Sequence, residues 1–255
     1  MNSTLNRIEV VLSRPEGALN VGAVCRAMKT MGLSGLTLVS PLPFSDDEVK
    51  RTAIHAWDVY ENARHVDNLD EALAPSALSA GITRRRGVKR KWFSVLPEEL
   101  ASKSASMKDG ITALVFGNER AGLSDDELGL CSIACHIPSS PQFPSLNLSH
   151  AVQIVASAFY RQSLKESVGT YSPVSRREVD NLVSVIHDSL DAMHYFKTAK
   201  RLYTDRFFRD ILTRAALSIQ ESHHLEKLFR KLPYLKGRRR ALMGIFMGKG
   251  RDIDP

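Results

Sequence analysis

Up to about Lys165 the chain alternates short apolar runs with stretches of helical periodicity, and this narrows the possible folds more than any other feature. Ile8–Leu12 (IEVVL), Leu36–Val39, Ala77–Ile82, Ile111–Phe116 (ITALVF) and Ala134–Ile137 are largely apolar on consecutive positions, the pattern of strands buried on both faces. Between and after them Val21–Met31, Asp46–Ala53, Leu69–Leu73, Pro97–Ser102, Ser124–Cys131 and Leu148–Leu164 read as helices. Ser124-Asp-Asp-Glu127 has the form of a capping box, and Asn147 or Ser149 can cap the last of these helices. The alternation predicts an α/β fold: a mainly parallel sheet flanked by helices.

Gly, Ser and Pro then cluster in Ser167–Pro173, and no strand signal follows. Arg177–Met193 repeats apolar residues at three-to-four spacing, and Asp205–Leu217 and Glu221–Leu232 continue in that style. The expected organisation is a domain over residues 1–165, a linker over 166–175, and a small all-α extension over 176–255.

The chain of 255 residues has a formal net charge of +7, unevenly spread. Residues 166–255 hold 17 Lys+Arg against 11 Asp+Glu, while the first 165 are almost balanced. A second basic concentration is local: Thr83–Trp92 places six Lys or Arg in ten residues around one tryptophan. Both point to an anionic partner, with RNA contact favoured over a merely solvated loop for Arg84, Arg85, Arg86, Lys89, Arg90 and Lys91. Three cysteines are too few for a disulfide framework. No apolar stretch has signal-peptide or membrane-spanning character, so a cytoplasmic protein with reduced thiols is expected.

Three segments carry the chemistry, each where an apolar run gives way to a helical pattern, the place where open α/β sheets hold ligands. Asn20-Val-Gly-Ala-Val-Cys-Arg26 offers an arginine fork suited to phosphate, and Gly22 permits a turn or a close approach. Alone it reads more readily as a capping asparagine and a surface helix arginine. Phe116-Gly-Asn-Glu-Arg-Ala-Gly-Leu123 follows the strongest strand; its glycines let a ligand press on backbone amides, and Glu119 is a candidate partner for Arg26. Ile137-Pro138 through Ser145-Leu-Asn-Leu148 holds three prolines between 138 and 144, which stiffen a loop able to wall a pocket.

The ordered trio resembles the three motifs of the SpoU/TrmH-type SPOUT RNA 2′-O-methyltransferases, from about residue 7 to 165. Within that family the likeness is greatest to the branch acting on cytidine or uridine of the tRNA anticodon loop (position-32-type). The resemblance implies a deep trefoil knot around the second and third segments, S-adenosyl-L-methionine bound in it, and a homodimer through the methyltransferase domain. Carried over by matching positions, cofactor contacts fall on Ile82, Thr83, Arg84, Gly117, Ile137, Pro144, Ser145 and Leu146. The catalytic set falls on Arg26, Asn20, Glu119, Ser145 and Asn147. The chain departs from the family pattern after Gly81, where Ile82-Thr-Arg-Arg-Arg86 replaces the usual Thr-Ser-Ala/Gly-Arg, so contacts there rest on backbone groups.

In such a reaction the cofactor's sulfonium already activates the methyl, and the protein aligns it with a ribose hydroxyl. An arginine holds its proton too tightly to act as the base, so Arg26 is read as orienter and electrostatic stabiliser. Rival readings are a non-catalytic RNA-binding module on the same fold, and rRNA as substrate in place of tRNA. Cys131, Cys135 and His136 lack a second ligand pair for zinc, and the two cysteines read as buried structural residues; no metal site is expected. His223-His224 reads as solvated, and Gly244–Gly250 lacks the spacing of a phosphate loop.

Overall fold

A computed structural model describes residues 4–84, 94–165, 169–196 and 201–248. Contacts divide the chain into two compact units, Met1–Arg176 and Arg177–Pro255. In chain order the first unit contains β1 (Ile8–Ser13), α1 (Ala18–Thr30), β2 (Gly35–Val39), α2 (Asp46–Ala53), α3 (Trp57–Glu61), β3 (Arg64–Val66), α4 (Leu69–Leu73) and β4 (Ser76–Ile82). It continues with β5 (Ser94–Val95), α5 (Pro97–Ser106), β6 (Ile111–Phe116), α6 (Asp125–Leu130), β7 (Ile133–Cys135) and α7 (Leu148–Ser163).

The seven strands form one sheet in the order β3-β2-β1-β6-β4-β7-β5, and every described pairing is parallel. The apolar runs account for this. Val10, Val11 and Leu12 of β1 and Leu114 and Val115 of β6 are at most 1% exposed, as a sheet covered on both faces requires. The central strands matched their sequence signal. Strands β3 and β5 did not, because both are short edge strands (Arg64-His-Val66 and Ser94-Val95) with little apolar content.

The caps follow the chemistry read from the sequence. Ser124 accepts from the Glu127 amide while Glu127 bonds the Ser124 amide, and Asn147 accepts from the Ser149 amide. The first helix begins at Ala18, ahead of the expected Val21, so Gly22 lies inside it and serves no turn. Its role is close approach: a Cβ there would fall 2.2 Å from Thr52 Oγ1 and 2.3 Å from the Val49 carbonyl, so the glycine lets α2 pack onto α1.

The segment read as a linker is not a free tether where it is described. The Lys108 amide donates to the Tyr171 carbonyl (2.8 Å) and the Thr170 amide to that of Ser106 (3.0 Å). Gly169 is pressed flat against Lys108, where any side chain would collide with backbone. Just beyond, the Arg176 side chain, 6% exposed, donates to Asp70 (2.7 Å) and the Leu130 carbonyl (2.9 Å). The second unit, described by itself, contains α8 (Arg176–Ala192), α9 (Arg201–Ala215) and α10 (Ile219–Gly248). Helix α10 runs through Pro233, past the end expected at Leu232; one proline removes one hydrogen bond and need not stop a long helix.

Candidate active site

Strands β1, β6, β4 and β7 are consecutive neighbours in the sheet, so the loops leaving their carboxyl ends lie side by side. The loop after β1 leads into α1, which carries the first segment, and the other three carry the second segment, Ile82–Arg84, and the Pro-rich third segment. The last three enclose a cleft of about 130 Å³, and no residue of the first segment lines it. All eight residues expected at a cofactor line it: Ile82, Thr83, Arg84, Gly117, Ile137, Pro144, Ser145 and Leu146. Phe116, Leu123, Leu148 and Ala151 complete its apolar wall.

The second loop is shaped by glycine. A Cβ on Gly117 would stand 2.2 Å from the backbone of Gly122 and Leu123, so no other residue lets the loop fold back on the strand end. Gly122 has φ +69°. Between them Asn118, buried and missed by sequence reasoning, is the organiser. Its Oδ1 accepts from the Arg120 (2.8 Å) and Ala121 (3.0 Å) amides, while its Nδ2 donates to the Arg14 carbonyl (3.2 Å) and Glu16 Oε1 (2.6 Å). Asn followed two or three residues on by amides needing an acceptor is the signal that could have found it.

Three members of the expected catalytic set form one chain of hydrogen bonds. Asn20 Nδ2 donates to Glu119 Oε1 (3.1 Å), and Asn147 Nδ2 donates to Asn20 Oδ1 (3.3 Å). The direction is forced, since an ionised carboxylate only accepts. Asn20 must turn its NH2 to Glu119, which leaves its oxygen for Asn147. The Asn147 oxygen then caps α7 by accepting from the Ser149 amide (2.9 Å) and hydroxyl (2.8 Å). Glu119 also takes the Glu16 (3.1 Å) and Gly17 (3.2 Å) amides at the start of α1. All three segments are thus tied across more than 100 residues of sequence.

Glu119 does not pair with Arg26, contrary to the sequence expectation. Its oxygens are taken by the amides and Asn20, nearer in space than a residue six positions along α1, about 9 Å down the axis. Arg26 is exposed, does not line the cleft, and makes no side-chain hydrogen bond or ion pair among the described residues. Ser145 lies on the cleft wall. Arg84 is exposed at the rim; Arg85, Arg86, Lys89, Arg90 and Lys91 lie outside the described residues.

A second latch ties the end of β1 to α6. Arg14, at φ +53° just beyond β1, donates from Nε (2.9 Å) and Nη2 (2.7 Å) to the two oxygens of Glu127, which also accepts from the Ser13 hydroxyl. Burial works against the Glu127 carboxylate, but hydrogen bonds from Arg14, Ser13 and Ser124 outweigh it and hold its pKa at about 2. Burial pushes the Cys25 and Cys135 thiols up to about 12, so neither is a nucleophile or a ready thiolate ligand. Among the described residues no group of His, Cys, Asp and Glu is placed to hold a metal.

Comparison with known proteins agrees with this architecture. A tRNA (cytidine/uridine-2′-O-)-methyltransferase TrmJ from Salmonella typhimurium is 44% identical over 153 residues, 60% of this chain and 63% of the relative. The corresponding Klebsiella pneumoniae protein is also 44% identical over 153 residues. The match therefore spans less than two thirds of these relatives' length. The crystal structure of TrmJ from Z. mobilis ZM4 superposes with a TM-score of 0.71 at 29% identity, covering 88% of this chain and 98% of that one. A probable methylase family protein from Haemophilus influenzae Rd KW20 gives 0.61 at 29% identity over 94% of this chain and 99% of its own. The profile of the SpoU rRNA Methylase family matches residues 7–157, a stretch that takes in all the loops of the cleft and more than half of the sequence, and the chain belongs to that family.

Proposed function

We propose that this protein is an S-adenosyl-L-methionine-dependent RNA ribose 2′-O-methyltransferase, acting in the cytoplasm on cytidine or uridine of the tRNA anticodon loop. The observation that carries the reading is the convergence of eight expected cofactor residues, from four separate stretches of chain, on one cleft beside the Asn20–Glu119–Asn147 chain. The cleft suits such a cofactor. It has an apolar wall for a nucleoside base, a glycine turn whose backbone a ligand can approach, and a proline-stiffened side that costs little to order. In this reading the strand-end loops around the second and third segments form the trefoil knot.

When bound, the cofactor supplies a methyl group activated by a positive sulfur. The protein's residues do the rest. Ile82, Gly117, Ile137 and Leu146 hold and desolvate it, and Asn20, Glu119 and Asn147 fix the wall on which the ribose hydroxyl is laid. Arg26 stabilises charge at the hydroxyl and its neighbouring phosphate. Its exposure, away from the cleft of its own chain, supports a homodimer in which paired methyltransferase domains complete each site. The basic loop from Arg84 and the helical extension supply RNA affinity.

The test is incubation of purified protein with labelled cofactor and unmodified tRNA transcripts, followed by mass spectrometry of the digested nucleosides. A 2′-O-methylpyrimidine confined to the anticodon loop is expected. Methylation of rRNA alone would move the substrate to that class, to which the family's description points. Cofactor and RNA binding with no transfer would leave a binding module.

A further inference from the structure

Arg120 stands in the middle of the second loop, at the rim of the cleft, with 86% of its side chain exposed. It is nevertheless built into place. Its amide donates to Asn118 Oδ1 (2.8 Å), and its Nε lies 2.9 Å from Glu16 Oε2. The other oxygen of Glu16 accepts from Asn118 Nδ2 (2.6 Å). One carboxylate thus braces both the arginine and the residue that shapes its loop.

Two other arginines of this unit have spent their donors. Arg14 turns Nε and Nη2 to Glu127, and Arg176 is buried against Asp70 and a carbonyl. For Arg120, the two terminal nitrogens have no hydrogen-bond or ion-pair partner among the described residues. An ion pair this exposed adds little to stability. Its effect is to orient: with Nε anchored, the outer edge of the guanidinium is presented to solvent as a two-pronged donor, the geometry that matches two oxygens of one phosphate. Anchoring also lowers the entropy lost on binding.

We infer that Arg120 is a phosphate clamp for the RNA substrate, gripping the backbone beside the ribose presented at the cleft, with Glu16 as its positioning residue. The inference rests on the RNA-methyltransferase reading and assigns one contact within it. A group so exposed is reached by a macromolecule laid across the rim more readily than by a small ligand enclosed in the cleft.

The experiment measures tRNA affinity across a salt series, cofactor affinity by calorimetry, and methyl transfer, for the full chain and for R120Q, R120K and E16Q. For R120Q, tRNA affinity should fall roughly tenfold and the log–log salt slope should become shallower by about 0.7–0.9, with cofactor affinity unchanged. R120K, which keeps the charge without the fork, should recover part of the loss, and E16Q should shift affinity the same way by less. Unchanged affinity and slope in R120Q, with the wild type active, would overturn the clamp. So would weakened cofactor binding at an unchanged slope, which would assign Arg120 to the cofactor's carboxylate. If the wild type itself neither binds nor methylates RNA, the functional reading fails first and the clamp falls with it.

Discussion

The two units of this chain handle apolar surface in opposite ways. In Met1–Arg176 the large apolar side chains of the sheet vanish into the core: Leu38, Leu78 and Leu114 are 0% exposed, and helices cover both faces. In Arg177–Pro255, α8 buries Val179, Leu182, Val183 and Ile186, but α9 leaves Leu202 (86%) and Tyr203 (74%) open, and α10 leaves Tyr234 (78%) open among lysines and arginines. A buried parallel sheet satisfies itself. A basic helical unit with exposed aromatics has surface left over for something else, and with 17 Lys+Arg in residues 166–255 it suits an anionic partner, which the proposed function takes to be an RNA backbone. In the proposed function, chemistry belongs to the first unit and capture largely to the second.

That contrast can be broken at several points, the largest effect first. Arg26→Ala should lower methyl transfer by about 10²–10³-fold or more while cofactor affinity stays within a few-fold; loss of cofactor binding in calorimetry would make Arg26 structural. Gly117→Ala should be nearly as severe for a different reason. Its Cβ would overlap the Gly122 and Leu123 backbone, so the second loop must move, at about 3 kcal/mol or more of stability; a variant with wild-type melting temperature and cofactor affinity would show the loop is not needed in this form.

Truncation after Arg176 probes the other side of the comparison. The cut spares the Tyr171–Lys108 and Arg176–Asp70 contacts that belong to the first unit. The product should remain a dimer that binds cofactor, with tRNA affinity reduced by about tenfold or more and a shallower salt dependence. A monomer in light scattering would place the dimer contact in the removed helices.

Glu127 gives a smaller, pH-dependent effect. Its folded pKa of about 2 lies below the usual carboxylate value of 4.5, so its stabilisation is fully present above about pH 4.5 and is lost as pH falls toward 2. Glu127→Gln should cost about 1–2 kcal/mol at neutral pH, allowing for solvent screening, and acid melts of mutant and wild type should converge near pH 2. The smallest expected change is none: EDTA should leave cofactor affinity where it was, and a strict requirement for a divalent ion would refute the pocket as described.

Legibility differed along the chain for physical reasons. The central strands and the capped helices were plain because each is specified by its own residues: ITALVF cannot be left in water, and Ser124–Glu127 closes on itself within one turn. The edge strands β3 and β5 were invisible, since partners and not composition make them strands. Asn118 was overlooked between the more conspicuous Gly117 and Glu119, though it makes four of the hydrogen bonds that set the loop. The expected Glu119–Arg26 pair failed because opposite charge predicts attraction but not distance.

By itself the sequence determined the α/β class, the three loops that matter and the basic character of the tail, all of which depend on local pattern or on composition. Strand order was left to the tertiary structure. The sequence places Asn20 and Asn147 127 positions apart, and only the adjacency of β1, β6, β4 and β7 brings their loops to one edge, where the two amides meet at 3.3 Å. Tertiary packing also decided which charges are used up and which are presented. Arg14 and Arg120 look alike as letters, yet one is closed on Glu127 and the other holds an open fork to solvent. Such pairings depend on distances between chain segments, and no local propensity encodes them.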